Sequence, residues 1–399
     1  MIHQIVNLYR RAYQGLPQHA WILFAVLLVN SAGMMVVFFL SLYLTQNLGY
    51  TVAEAGRSLS IFGMGSLAGS FLGGWLSDKI GSTNVQKLSL LFSGIFYIWL
   101  GQIHSLWSLN LMIFVLATAS GWLYPANSTS MARICPPEVT TKGFALNRLA
   151  NNIGATIGPA VGGFLALRNY SLLFWVDGLT CLAAVGLFSL AWKKPEQDLK
   201  ALTAGKAPSA RSPWRDVPFL LLLPLVVVWG SIFFQLIATF PLYMREVYGF
   251  AENRIGQLII INTFLIITLE MLLIHWIGKK ALTRFIALSF FLTGLGFSLL
   301  PLGRGFLYAA LTVAVWTFGE MLSMPLLGAL IALRAGTGNQ GRYMGLFSFA
   351  FSLSMILGPA FGTMVYSRFG PTALWFGCGV VGCLMSAAFW LISNSLTNE

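Results

Sequence analysis

Twelve stretches of this chain are each long and apolar enough to cross a lipid bilayer: near 20–46, 52–77, 86–103, 107–132, 141–167, 171–192, 218–247, 253–277, 282–302, 305–333, 343–367 and 371–393. A helix of roughly 20 apolar residues covers the hydrocarbon thickness. Inside lipid every backbone N–H and C=O must be satisfied within the protein, which leaves helices or closed barrels. The runs are continuous and lack the alternation of barrel strands. Charged residues make up 9% of the 399, against about 25% in a soluble domain, so most of the surface faces lipid. The chain therefore reads as an all-α membrane protein.

The twelve spans divide into two sixes. Gly158-Pro159-Ala160-Val161-Gly162 returns as Gly358-Pro359-Ala360-Phe361-Gly362, 200 positions later. The same offset carries Pro125 onto Pro325, Arg168 onto Arg368, Trp175 onto Trp375 and Lys79 onto Lys279. Solenoid repeats are far shorter, about 20–50 residues; a repeat of half a membrane protein fits the parallel halves of a secondary transporter. The expected organisation is a six-helix bundle over 1–192, a polar linker over 193–217 and a second six-helix bundle over 218–399.

A net charge of +12 raises the question of a nucleic-acid partner, and the positions of the charges answer it. With the N-terminus inside, eighteen of the 24 Lys and Arg fall on that side, against six opposite. This is the positive-inside bias of membrane proteins; the basic balance reports topology and attraction to lipid, and no nucleic acid. Met1–Gln18 lacks the apolar core of a cleavable signal. Cys135, Cys181, Cys378 and Cys383 show no metal-ligand spacing and read as small packing residues. His3, His19, His104 and His275 are dispersed. With neither a metal cluster, a nucleophile–base pair nor a phosphate loop, no enzyme, metal site or cofactor is expected.

Two motifs carry a family resemblance. Gly74-Trp75-Leu76-Ser77-Asp78-Lys79-Ile80-Gly81, between the second and third spans, resembles the loop signature of the major facilitator superfamily. Ser82 and Thr83 stand where that signature continues with basic residues. In the fifth span, Gly154-Ala155-Thr156-Ile157-Gly158-Pro159-Ala160-Val161-Gly162-Gly163 is similar to the glycine–proline motif of the antiporters of that superfamily. Glycines at these intervals make a smooth stripe for close helix contact, and Pro159 frees a carbonyl and bends the helix. The chain is identified as resembling twelve-helix drug:proton antiporters. That implies the superfamily fold, with a gating set of Gly74, Asp78, Lys79, Gly81, Gly154, Gly158, Pro159 and Gly162, to which the repeat adds Gly358 and Pro359. Ala117 stands where many antiporters carry an arginine, and Arg148 at the start of the fifth span is the nearest basic residue.

An ionisable group inside the bilayer is a functional candidate by default. Three carboxyls lie well within spans: Asp177, Glu270 and Glu320. Glu320, in Gly319-Glu320 five residues before Pro325, is the first candidate for proton coupling, and some relatives carry an acid in such a setting. Glu270 is the second; Asp177 reads as structural. The first span offers Asn30 with Met34 and Phe38 on one face. Ser120, Tyr124, Asn127 and Met131 form a stripe on the fourth span, and Ser231, Gln235 and Thr239 on the seventh. From these, Asn30, Met34, Tyr124, Asn127, Gln235 and Trp316 are the expected substrate-binding residues.

The expected function is export of small amphipathic molecules in exchange for protons, by alternating access across a bacterial inner membrane, with both termini cytoplasmic. The alternative is a dedicated exporter or importer of one metabolite, such as a siderophore, sugar, amino acid or lipid. Partners are a small-molecule substrate, protons and membrane lipid, and the default state is a monomer.

Overall fold

In the computed structural model residues 15–136, 139–192, 212–277 and 282–397 are described, and they form helices and turns with no strand among them. The expected linker is described from Ser212 onward; its remainder lies outside the described residues, as do residues 1–14 and Gly278, Lys279 and Lys280.

The helices in chain order are α1 (Gln18–Ala32), α2 (Val36–Leu42), α3 (Val52–Ile80), α4 (Ser82–Leu100), α5 (Leu106–Gly121), α6 (Leu123–Ile134), α7 (Thr140–Arg168) and α8 (Ser171–Ala191). After the linker follow α9 (Val217–Phe233), α10 (Gln235–Ala238), α11 (Phe240–Glu246), α12 (Glu252–Ile277), α13 (Leu282–Ser298), α14 (Phe306–Phe369) and α15 (Pro371–Thr397). Among the described residues nine helical stretches have the length and composition to cross a membrane. The other three expected spans fall on α4, α7 and α12, which are helical as expected. Helix α4 carries Gln86 and Lys87, α7 carries Asn147, Arg148, Asn151 and Asn152, and α12 carries Asn262 and Glu270.

Helix α14 holds two of these stretches, Phe306–Ala335 and Tyr343–Phe369. At about 1.5 Å per residue, a straight helix through both would outrun any bilayer. The contacts show that it doubles back. Gly319 packs on Thr293, Gly358 on Ser231, and the Trp229 indole reaches Thr293, so these residues share one level. Arg334 and Tyr343 both reach Asp216, at the opposite end of α9.

The chain folds into two compact units. One comprises Met1–Val36, Met64–Val161 and Asn169–Thr203, the other Val37–Gly63, Gly162–Arg168 and Ala204–Glu399, so far as these lie within the described residues. In the first, Leu23, Val26 and Leu27 of α1 pack with Leu90 of α4, Leu123 and Met131 of α6, Leu146 and Ala150 of α7, and Ala184 and Phe188 of α8. In the second, Phe297 of α13 is stacked between Trp316 of α14 and Trp375 of α15, its ring centroid 5.5 Å from each.

The sequence repeat is visible as geometry. Gly49 and Gly249 both turn the chain with positive φ, 73° and 69°. Each follows the same pair of backbone bonds, Leu48 to Tyr43 and Tyr50 to Leu44 in one copy, Tyr248 to Tyr243 and Phe250 to Met244 in the other. A side chain at that φ is strained, which is why glycine stands at both. Likewise a Cβ on Gly94 would lie 3.0 Å from the Gly178 carbonyl oxygen, and one on Gly294 2.8 Å from that of Cys378. Helix-on-helix approach without a side chain between is thus conserved at an offset of 200 residues.

Candidate functional site

The first span is broken. Helix α1 ends at Ala32 and α2 begins at Val36, leaving the backbone N–H groups at the start of α2 without helical acceptors. The fully buried Asp177 side chain from α8 accepts from two of them, Met35 and Val36, and Met35 N–H also donates to the Gly33 carbonyl at 2.8 Å. Met35 N–H donates to both oxygens at 3.1 Å, and Val36 N–H to one at 2.8 Å. Gly33 makes room for this approach, since a Cβ there would overlap Thr180 of α8. Asp177, expected as a structural residue, thus stands at a helix break and accepts from its backbone.

The glycine stripe of α7 packs on that break. A Cβ on Gly154 would overlap Ser31, and one on Gly158 would come within 3.1 Å of the Met34 carbonyl oxygen. Ser31 also donates to Asn151 Oδ1 at 2.9 Å. Two further glycines of the first half pack differently, within the second unit. A Cβ on Gly56 would overlap Thr363, and one on Gly163 would stand 2.6 Å from the Glu252 carbonyl oxygen.

The seventh span is broken at the equivalent place, Phe234, between α9 and α10. Here the buried Gln235 amide bridges the break, donating to the carbonyls of Ser231 at 2.9 Å and Gly358 at 2.8 Å, while Thr239 donates to its Oε1. Gly358 and Gly362 supply the space; a Cβ on Gly362 would overlap the Gln235 amide. Gln235, expected on a binding surface, lies in this packed contact with the glycine–proline repeat.

Glu320 sits in the first span of α14 and is half-buried. Asn262 of α12 donates to Glu320 Oε2 at 3.0 Å and to Thr317 Oγ1 at 3.0 Å. The amide therefore ties carboxylate and hydroxyl across two helices. Glu270 lies two turns further along α12 and is 8% exposed.

The remaining expected residues are dispersed. Asn30 accepts from the Cys181 thiol at 3.5 Å; Met34 is 44% and Tyr124 62% exposed. Asn127 is buried in a chain of amides and hydroxyls, accepting from Asn147, donating to Gln86 at 3.3 Å, with Gln86 donating to Ser130 at 2.8 Å. Trp316 is fully buried in the aromatic stack. Arg148 is exposed on α7. At the loop signature Gly81 turns the chain with φ 85°, and Lys79 lies over the Trp75 ring, 3.9 Å from its centroid. Gly74 is half-buried in α3, and the Asp78 side chain lies outside the described set.

Three polar groupings have no counterpart in the sequence reading. The first joins Gln86 and Asn147 around Asn127, and the second is Asn262 beside Glu320; an amide within a membrane span was the available signal. The third is Asp216, the cap of α9, which accepts from Phe219 N–H at 3.3 Å. Arg334 meets it with two bonds of 2.7 Å, Tyr343 donates at 2.8 Å, and Arg334 also donates to the carbonyls of Ser395 and Leu396. Burial acts to raise the Asp216 pKa, yet the bonds from Arg334, Tyr343 and Phe219 bring it below the ordinary carboxylate value.

Comparison with known proteins adds the following. The family model described as Major Facilitator Superfamily matches residues 22–359. The chain is 24% identical over 386 residues to a Na(+), Li(+), K(+)/H(+) antiporter of Planococcus maritimus, covering 88% of each. It is 21% identical over 373 residues to the multidrug resistance protein MdtH of Salmonella typhimurium, covering 92% of each. Among solved structures it is similar to a peptide transporter POT in complex with sulfate, with a TM-score of 0.81 at 16% identity, covering 97% of this chain and 96% of that one.

Proposed function

The chain belongs to the major facilitator superfamily, it is a multi-pass secondary transporter and not an enzyme, and from this premise we propose that it exports small amphipathic molecules in exchange for protons. The observation that carries the reading is Glu320, a carboxyl within a membrane span bonded to Asn262 of another span. A carboxyl so placed is costly unless used. It can take a proton in one state of the cycle and give it up in another. The name of the MdtH relative supports amphipathic substrates. We place the protein in a bacterial inner membrane with its termini in the cytoplasm, as a monomer, with the glycine–proline stripes of α7 and α14 as sliding contacts during alternating access. Glu270 is the second proton-coupling candidate.

A second reading, exchange of Na+ or K+ for protons, is favoured by the name of the Planococcus relative. Both are tested in one experiment. Purified protein is reconstituted in vesicles holding a pH-sensitive dye, and ethidium, Na+ or K+ is added outside across an imposed pH gradient. Ethidium-dependent proton movement in the native protein, abolished in Glu320→Gln at normal yield and monodispersity, is the expected result. A response to Na+ or K+ alone selects the second reading, and undiminished ethidium-driven flux in Glu320→Gln removes Glu320 from the mechanism.

A further inference from the structure

The two breaks that open the two halves are related by the repeat, but they are held by chemically different groups. In the second half the holding group is Gln235, an amide belonging to the broken span itself. In the first half it is Asp177, a carboxylate from another helix. Gly377 stands at the position 200 residues beyond Asp177, and Met35 at the position 200 before Gln235, so neither device is inherited by both copies. Of the two holding groups, the carboxylate alone can gain a proton.

The location matters as much as the chemistry. The chain leaves the first compact unit at Val36, the residue whose N–H makes the 2.8 Å bond to Asp177. It leaves that unit again at Val161, two residues beyond Pro159. Within the first unit these neighbourhoods touch, through Gly158 and the Met34 carbonyl. The group that holds Met35 and Val36 therefore also sets the surface on which the glycine stripe rests.

We propose that Asp177 is a proton-responsive positioning residue: ionised, it fixes the break between α1 and α2 against α7, and protonated it lets that break loosen. Bonds to an ionised acceptor are about twice as strong as bonds to a neutral one, and a protonated carboxyl turns one acceptor oxygen into a donor with no use for two N–H groups. The titratable groups facing Asp177 are Tyr97 of α4 and Cys181 of α8 itself. The first span faces this neighbourhood with Asn30, which does not titrate, through its bond to Cys181. The inference rests on the reading of the protein as a proton-coupled carrier for its purpose, but its physical content is local.

The experiment is amide hydrogen exchange over Gly33–Phe38 in full-length protein in lipid nanodiscs, corrected for the intrinsic rate, at about pH 8 and about pH 5. In the native protein corrected exchange rises about tenfold on acidification, the loss expected when bonds to a charged acceptor weaken. Asp177→Asn exchanges at the fast rate at both pH values, and Asp177→Glu restores part of the pH response. Tyr97→Phe and Cys181→Ser leave the response in place. Corrected exchange that is equal at both pH values in the native protein overturns the proposal, whether or not Asp177→Asn folds. So does a pH response that survives in Asp177→Asn. Absence of proton flux with ethidium, Na+ and K+ in native vesicles would instead overturn the proton-exchange reading, leaving this measurement to stand alone.

Discussion

At the scale of single residues, glycine decides where helices meet, and its two uses here have different consequences. Gly49 has positive φ and open space around it. Gly49→Ala should therefore cost the backbone strain alone, about 1 kcal/mol, with normal proton flux. Gly154 lies against Ser31 without room for a Cβ. Gly154→Val should cost roughly 1–3 kcal/mol as an overpacked contact and also reduce flux, since α7 can no longer rest on the break. Reversible unfolding in mixed micelles separates the two variants. Equal losses would mean that the stripe is mere filler. Much of this contrast was legible in the sequence. The spacing Gly154, Gly158, Gly162 announced a close contact, and its recurrence at Gly358 announced a second. The partners were not legible, because nothing in the chain of letters says that a glycine on the fifth span faces Ser31 and Met34 on the first. Asn127, Gln235 and Trp316 illustrate the same gap. A helical stripe gives a face, and whether that face meets a cavity or another helix is settled by tertiary packing.

At the scale of elements, the ends of the second half are tied by one charged cluster. Asp216, Arg334 and Tyr343 join the start of α9 to both spans of α14, and Arg334 extends the tie to the last turn of α15. The folded Asp216 pKa lies below its ordinary value. Its contribution to stability is therefore full above the unfolded carboxylate pKa of about 3.9 and is lost as pH falls through the lower folded value. Asp216→Asn should lower the unfolding midpoint at neutral pH, and its deficit against the native protein should shrink towards about pH 3. Midpoints that run parallel down to that pH would remove ionisation of Asp216 from the account. Arg334→Met leaves a buried carboxylate without its main partner and should cost roughly 3–5 kcal/mol, more than Asp216→Asn. The helices themselves were readable from apolar run length, and their breaks were not. Nothing local to Gly33 or Phe234 compels a break as proline would; the acceptors that make one tolerable come from elsewhere in the fold.

At the scale of the whole molecule, duplication is the organising fact, and the offset of 200 residues transfers turns and close contacts as well as letters. Segments of the first half contribute to the second compact unit: Val37–Gly63 and Gly162–Arg168 pack there through Gly56 on Thr363 and Gly163 on Glu252. On the alternating-access reading proposed above, contacts between segments of different halves are remade in each cycle. Gly56→Val should therefore lower ethidium-driven flux about tenfold or more, equivalent to about 1.4 kcal/mol lost from the state that needs the contact, while yield stays normal. Flux equal to native in that variant would mean that the Gly56 contact is not remade during turnover.

The grip of Arg334 on the carbonyls of Ser395 and Leu396 also has a practical side. The final helical turn is a structural anchor and a poor place to cut. A reporter joined after residue 397 keeps both acceptors, whereas trimming back to Ser393 leaves the guanidinium only its bonds to Asp216 and should surface as reduced yield before any assay of flux is run.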